Sequence, residues 1–516
     1  MSLTKVSYTM IKGAPINVLD YGAVGNGIAD DTLAIQKAID AAYTAGGGIV
    51  VIPSGYTFLV TQQTYSGMTG AGSVILKDNI TLQLDGTIKL KDNNIGGSAY
   101  YAVIRTLDVG GSNIRITGRG TVDGNKANQV PSTQCSNIML KYVTSNIVVE
   151  CINSINANGI GIQVVGVNPA AGSIGGADNV RISDTTVYNC AYIGIQCAQF
   201  NNLRIENNYV NFTGDNAIDI YGENSGSTVA SGTNFVVDGN VCRNCLTGVF
   251  AETVALGVIS NNVISLTQVG AGGAGIHVNR INGLPYGVNV TGNTISDSET
   301  GIWVTGDMNG VLLNNNSITS FSIAGIKLGQ SGGNVSYVDV SSNFFTPPNT
   351  TTANIAIVGT QAAFVTGRFN TVNVSGASAS YLAVNSATTS VNVNIDSFRT
   401  LPNQVGSDLN AILPQFGVVS LLYGNQDNIA GPYDISVPDA TGGTLYLTAY
   451  QGGVGRSTWI VPYTKYGTDL ALGTPQKSFI TADPIVSVTS VSGAARVTLL
   501  AANSYIKWGF TYTSVS

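Results

Sequence analysis

Between residues 113 and 398 one short pattern recurs: a β-branched pair, a polar anchor that is usually Asn, an apolar residue two places on, a polar turn, then G-I-x-V or a variant. NLRIENNYVNFTGDNAIDIYG at 202–222 and GVNVTGNTISDSETGIWVTG at 287–306 are two copies. With anchors at Asn208, Asn240, Asn262, Asn293, Asn316, Asn343 and Asn370, the spacings are 32, 22, 31, 23, 27 and 27 residues, which fits a basic period of 22–23 with loop insertions. Such a period is too short for paired helices, and the runs between turns are short, β-branched and alternating. One coil of short strands cannot cover its own apolar side. Coils must therefore stack with their strands parallel, which predicts an all-β, right-handed parallel β-helix with a rung every ~4.8 Å.

Two columns express this stacking. The residue two after each anchor is Val210, Cys242, Ile264, Ile295, Ile318, Phe345 or Val372, apolar every time, and is expected to point inward. The anchors should form an Asn ladder in one turn, satisfying backbone groups and adopting left-handed geometry.

Upstream, residues 17–60 read NVLDYGAVGNGIADDTLAIQKAIDAAYTAGGGIVVIPSGYTFLV. Asp30 or Asp31 can N-cap a helix with Ile35, Ala38, Ile39 and Ala42 on one stripe, ended by Gly46 to Gly48. A helix here would cap the open end of the first coil. This segment resembles the N-terminal motif of the pectate-lyase-like superfamily, in particular phage tailspikes, with Asn26 where that motif usually has Asp. The repeat fades after about residue 398, and short alternating strands follow, which predicts a small C-terminal β-sandwich. The expected division is 1–60 N-terminal segment and cap, 61–398 β-helix, 399–430 transition and 431–516 sandwich.

Composition narrows the function. A net charge of −6 over 516 residues excludes a basic nucleic-acid-binding protein. Charged residues make up only 10% of the chain, against roughly a quarter in ordinary domains, so the surface is expected to be neutral-polar. No apolar run is long enough to span a membrane, and the first residues lack the apolar core of a secretory signal. Six scattered cysteines and a single His leave Cys242 and Cys245 short of zinc partners and read as reduced structural thiols. No metal or cofactor is expected.

In the G-I-x-V strand the x residue points outward, and stacking aligns these residues into a surface column. Down the coils it reads Gly161, Gly194, Asp219, Phe250, His277, Trp303 and Lys327; the next outward column reads Gln163, Gln196, Tyr221, Glu252, Asn279, Thr305 and Gly329. Long insertions at 168–179, 223–233 and 279–287 leave the same corner and would wall a groove for an extended polymer. The rings of Trp303, Tyr221 and Phe250 offer faces for sugars, so the expected ligand is a carbohydrate.

Glycoside hydrolysis needs one acid to protonate the leaving oxygen and a second carboxylate to activate water or attack the sugar. Asp219 and Glu252 fall one rung and one outward position apart, roughly 8 Å, within the range of ~6.5–9.5 Å for inversion. TGDNAIDIYGE also resembles the G-D-D-x-x-x-I element of polygalacturonases, with Asn216 in place of the second Asp. That resemblance implies a catalytic Asp215, with its partner drawn from Asp219, Glu223 or Glu252. Each carboxylate has a bland alternative as a solvated side chain of a solenoid face. Tyr221, Glu223, His277, Asn279, Arg280 and Trp303 are candidate substrate contacts; Lys327 and Arg280 are ordinarily solubilising charges, or partners of an acidic sugar.

The tailspike resemblance implies a depolymerase that binds and hydrolyses a bacterial surface polysaccharide, capsule or O-antigen. It further implies a homotrimer, attached to the phage tail or baseplate through its N-terminus and made in the host cytoplasm. Two rivals stand. A polysaccharide lyase would use His277 or Tyr221 as base and Arg280 to stabilise the enolate, although the lack of clustered metal ligands speaks against a calcium-dependent one. A non-catalytic receptor-binding β-helix would bind glycan without cutting it. An active site shared between subunits would separate Asp219 from Glu252.

Overall fold

The structure, a computed structural model, describes residues 13–94, 100–130, 133–167, 176–222, 232–266, 273–280, 287–306, 308–329 and 335–346, and beyond these a set of strands and short turns between residues 355 and 514. The repeat folds as expected, into a right-handed parallel β-helix whose coils each lay down three strands. The first face contains Ile195–Ala198, Ile218–Tyr221, Val249–Glu252, Ala274–Arg280, Thr300–Gly306 and Ala324–Leu328, each hydrogen-bonded in parallel to the next. A second face holds Phe200–Glu206, Thr233–Asp238, Ala255–Ser260 and Val288–Thr291, and a third holds Tyr209–Thr213, Val241–Arg243, Val263–Ser265 and Thr294–Ser296.

Val210, Cys242, Ile264, Ile295, Ile318 and Phe345 pair in unbroken register along the third face and are all buried. The side chain of Val372 lies outside the described residues. The anchors form the expected ladder. Asn240 Oδ1 accepts from both the backbone N–H and the Nδ2 of Asn208, each at 2.9 Å, and Asn262, Asn293, Asn316 and Asn343 repeat the arrangement. The left-handed geometry, however, falls one residue earlier than expected, on Asn207, Gly239, Asn261, Gly292, Asn315 and Ser342. The reason is a division of labour: the residue before the anchor turns the chain, and the anchor turns its side chain inward to satisfy the backbone that this turn leaves unpaired.

Where the third face meets the first, glycines recur because the next coil occupies the place of a side chain. A Cβ on Gly194 would lie 2.4 Å from Val210 Cγ1, one on Gly248 2.5 Å from Ile264 Cγ2, and one on Gly275 2.4 Å from Ile295 Cγ2. The one coil here that carries Ala217 in place of Gly aligns by the same register with Cys242, where Gly194, Gly248 and Gly275 meet a β-branched Val or Ile. An added methyl on one side is matched by a lost one on the other.

The cap helix spans Thr32–Thr44, with Ile35, Ala38, Ile39 and Ala42 buried. Asp31 occupies the cap position but spends its carboxylate on Val24 N–H and Gly25 N–H; Asp30 instead accepts from Thr32 N–H at 3.0 Å. Gln36 exchanges two hydrogen bonds with the backbone of Ile75, of 2.8 and 3.1 Å, covering an open strand of the first face.

The chain divides into two compact units, 1–362 with 372–389, and 363–371 with 390–516. In the second, a six-stranded and a three-stranded antiparallel sheet bury Leu445, Leu447, Trp459 and Val461 from one side and Ile435, Ile485, Ala495 and Val497 from the other. This is the expected sandwich. Ser420–Ile429 is already one of its sheet strands, while 401–419, most of the expected transition, lie outside the described residues.

Candidate active site

The outward columns of the first face keep their expected order from Asp219 onward. Asp219 pairs with Phe250, Phe250 with His277, His277 with Trp303 and Trp303 with Lys327; beside them run Tyr221, Glu252, Asn279 and Thr305. The first two coils do not. Gln163 and Gln196, not Gly161 and Gly194, share the column of Asp219, and Ala198 rather than Gln196 pairs with Tyr221. The cause is a doubled motif: GIGIQ and IGIQ each offer two frames, and the inward corner position, where a Cβ at Gly161 would lie 2.5 Å from Val187 Cγ1, belongs to the glycine. Reading G-I-x from that corner glycine would have placed both glutamines correctly.

Asp219 therefore has a defined neighbourhood. Gln196 Nε2 donates to its Oδ2 at 3.2 Å, and Gln163 Nε2 donates to Gln196 Oε1 at 2.6 Å. Phe250 is its register partner on the following coil. Only 7% of Asp219 is exposed, and its Oδ1 is buried without a hydrogen-bond partner. Burial pushes its carboxyl up to about 6; the charges of Glu252 and Asp215 add to the rise, and hydrogen bonds from Gln196 and Asn216 oppose it. Glu252 is half-buried on the next coil, one outward position along, so its Cα lies roughly 8 Å from that of Asp219 by strand and rung spacing. Asp215 precedes the strand, half-buried, and burial raises its carboxyl too, against a backbone hydrogen bond from Asn216. Asp219 thus lies within electrostatic reach of two further carboxylates, Glu252 and Asp215.

Further along, rings stack on rings. Phe250 and His277 centroids are 4.7 Å apart, His277 and Trp303 4.5 Å apart with planes 9° from parallel, and Lys327 Nζ lies 4.3 Å from the Trp303 centroid. The sugar-stacking face expected of Trp303 is accordingly occupied on both sides; its Nε1 donates to Gly329 C=O at 3.4 Å. His277 is covered on both faces, and its Nε2 meets Thr305 Oγ1 at 2.9 Å. Burial, aided by the Lys327 charge, pulls its pKa down to about 4, so the ring is neutral at pH 7. Tyr221 and Asn279 flank Glu252 in register. Glu223, the side chain of Arg280 and most of the three groove-walling insertions (168–175, 223–231 and 281–286) lie outside the described residues. Gln196, Gln163, Asn216 and Thr305 are the neighbours that the sequence pattern did not single out as functional.

Coils of three short strands stacked in parallel are the architecture of a class, the pectate-lyase-like β-helices. The chain belongs to the rhamnogalacturonase A/epimerase, pectate lyase-like family, whose model matches residues 15–275. It is 42% identical over 125 residues to mannuronan C5-epimerase AlgE1 of Azotobacter vinelandii and 35% identical over 111 residues to a polygalacturonase of Malus domestica. Those stretches cover 22% and 21% of this chain but only 8% and 22% of the two relatives. Among solved structures, the tailspike protein of E. coli bacteriophage HK620, in complex with a pentasaccharide, matches 96% of this chain and 93% of its own length with a TM-score of 0.53 at 14% identity, a likeness of fold. Among the described residues, no helix is long and apolar enough to cross a membrane, and no three His, Cys, Asp or Glu side chains group to hold a metal ion.

Proposed function

We propose that this protein is a phage tailspike depolymerase that hydrolyses a bacterial surface polysaccharide, with Asp219 as general acid and Glu252 as general base. The observation that carries the reading is the state of Asp219: buried, held at Oδ2 by Gln196, and pushed up to about 6 beside two further carboxylates. A carboxyl in that range still holds a proton over part of its working pH, which a general acid requires. The proton on Asp219 passes to the glycosidic oxygen as the C–O bond breaks; water adds to the anomeric carbon and gives its proton to Glu252. The proposed outcome is inversion, which needs the two carboxyl groups about 6.5–9.5 Å apart so that this water fits between them; a product that retains configuration rejects it. Asp215 is the alternative second carboxylate, supported by its resemblance to the polygalacturonase element. Tyr221, Asn279, Arg280 and Glu223 are the proposed substrate contacts, and Trp303 and His277 act through the stack that backs Phe250.

The assembly is proposed as a homotrimer anchored through its N-terminus to the phage tail. Analytical ultracentrifugation giving three times the chain mass supports it, and a monomer rejects it. For the chemistry, the protein is incubated with a panel of capsules and lipopolysaccharides and the fragments are weighed. A gain of one water per cut is expected, with losses of about 100-fold or more in Asp219→Asn and Glu252→Gln. Fragments without added water, absorbing as unsaturated uronates, would instead select the lyase. A stretch of 132 residues 39% identical to alginate lyase 7 of Azotobacter vinelandii favours that as the second reading. Glycan binding with no fragments at all rejects both.

A further inference from the structure

We propose that Gln196, oriented by Gln163, is a positioning residue for Asp219: it holds Oδ2 as an acceptor in one fixed orientation and steadies the charge that the carboxylate takes up when its proton leaves. The inference rests on the reading of Asp219 as the acid. Gln163, Gln196 and Asp219 are consecutive members of one column, a coil apart, so their side chains meet head to tail along the helix axis. The direction of this short chain is fixed from its end. An ionised carboxylate only accepts, so Gln196 must turn its NH2 towards Oδ2, which turns its own carbonyl towards Gln163. Gln163 then has to present its NH2. A flipped Gln196 would set its carbonyl against the carboxylate and oppose two NH2 groups, losing both hydrogen bonds.

Oδ1 is buried and the next member of the column is Phe250, a ring without a hydrogen-bonding group, so the carboxylate depends on Gln196 and Asn216 for donors. The other polar and ionisable groups acting on Asp219 are Asn216, Glu252 and Asp215, and the buried Cys197 thiol feels it in turn. When Asp219 releases its proton to the leaving oxygen, the Oδ2 bond to Gln196 is already in place to receive the new charge, without rearrangement.

The test needs no substrate. Difference infrared spectroscopy follows the protonated carboxyl band of Asp219, assigned by its disappearance in Asp219→Asn. Gln196→Met, which keeps length and loses the donor, is expected to raise the half-protonation pH by about one pH unit. Gln163→Met is expected to raise it less, because Gln196 is then free to turn. Both proteins are checked for native melting, and if Gln196→Met does not fold, Gln163→Met carries the test alone. A folded Gln196→Met with the wild-type titration overturns the proposal, as does a lowered melting temperature with an unmoved band. Because the reading is spectroscopic, it stands or falls separately from hydrolysis: a moved band in a protein that cuts nothing sinks the enzyme and keeps the relay. Where cleavage is found, its alkaline limb should move with the band.

Discussion

Asp219 is outward by register and almost fully buried by its neighbours, and that conflict has a cost. Its carboxyl is raised from 3.8 to about 6, so the folded chain binds this proton more tightly than the unfolded one. Stability contributed by the group is therefore full below pH 4, is lost as pH rises from about 4 to 6, and stays lost above. Asp219→Asn should accordingly stabilise the protein at pH 8 by on the order of 2–3 kcal/mol and lose that advantage near pH 4, as read by denaturant midpoints across pH. A constant difference at all pH values would contradict this. His277 works with the opposite sign. Held neutral, with its pKa lowered from 6.5 to about 4, it costs stability as pH falls through that window, so His277→Phe should flatten the acid side of the melting-temperature profile. The sequence allowed Asp219, Glu252 and His277 to be singled out because acids and the lone His are scarce in this chain. It could not show that His277 is sandwiched or that Asp219 is dry, since both depend on neighbours 23 to 31 residues away, such as Gln196 and Phe250.

Each coil is specified by small choices that only its neighbours explain. The Asn ladder illustrates the cooperativity: the Asn262 side chain receives two hydrogen bonds from Asn240 and gives two, to Val237 C=O and to Asn293 Oδ1. Asn262→Ala removes the acceptor of the buried Asn240 N–H and one bond each from Asn240 Nδ2, Val237 C=O and Asn293 Oδ1, and is expected to cost on the order of 3 kcal/mol in denaturant unfolding. A cost below about 0.5 kcal/mol, the scale of an ordinary surface substitution, would speak against the ladder. The Ala217–Cys242 contact makes a second prediction. Cys242→Ile should overpack against Ala217 and destabilise by about 1–3 kcal/mol, part of which returns in the double variant with Ala217→Gly. Burial pushes the Cys245 thiol up to about 12 and that of Cys242 well above the ordinary range, in keeping with structural cysteines. At this scale the anchors, the inward column and the cap helix were legible from period and pattern. The frame of GIGIQ was not, because two overlapping motifs satisfy the same apolar spacing and only the space beside Val187 and Val210 chooses between them.

For the whole molecule, stacking turns sequence distance into a short rise along one axis, so that acids from separate coils share a face. The division at 399–430 remains a proposal. Limited proteolysis should cut first between 399 and 419, ahead of the sheet strand Ser420–Ile429, and release a folded C-terminal fragment, whereas first cuts within 61–398 would reject the boundary. The β-helix was readable because its repeat is periodic, and the sandwich less sharply, because short alternating strands do not specify their pairing partners. The polysaccharide itself is chosen by loop side chains, which carry no periodic signal. The most direct test of the central claim is a crystal structure of the Asp219→Asn protein soaked with a fragment of its polysaccharide. The account predicts a glycosidic oxygen within hydrogen-bond reach of residue 219, with Glu252 on the next coil of the same face. A fragment bound on another face, or the two residues on different faces, would contradict it.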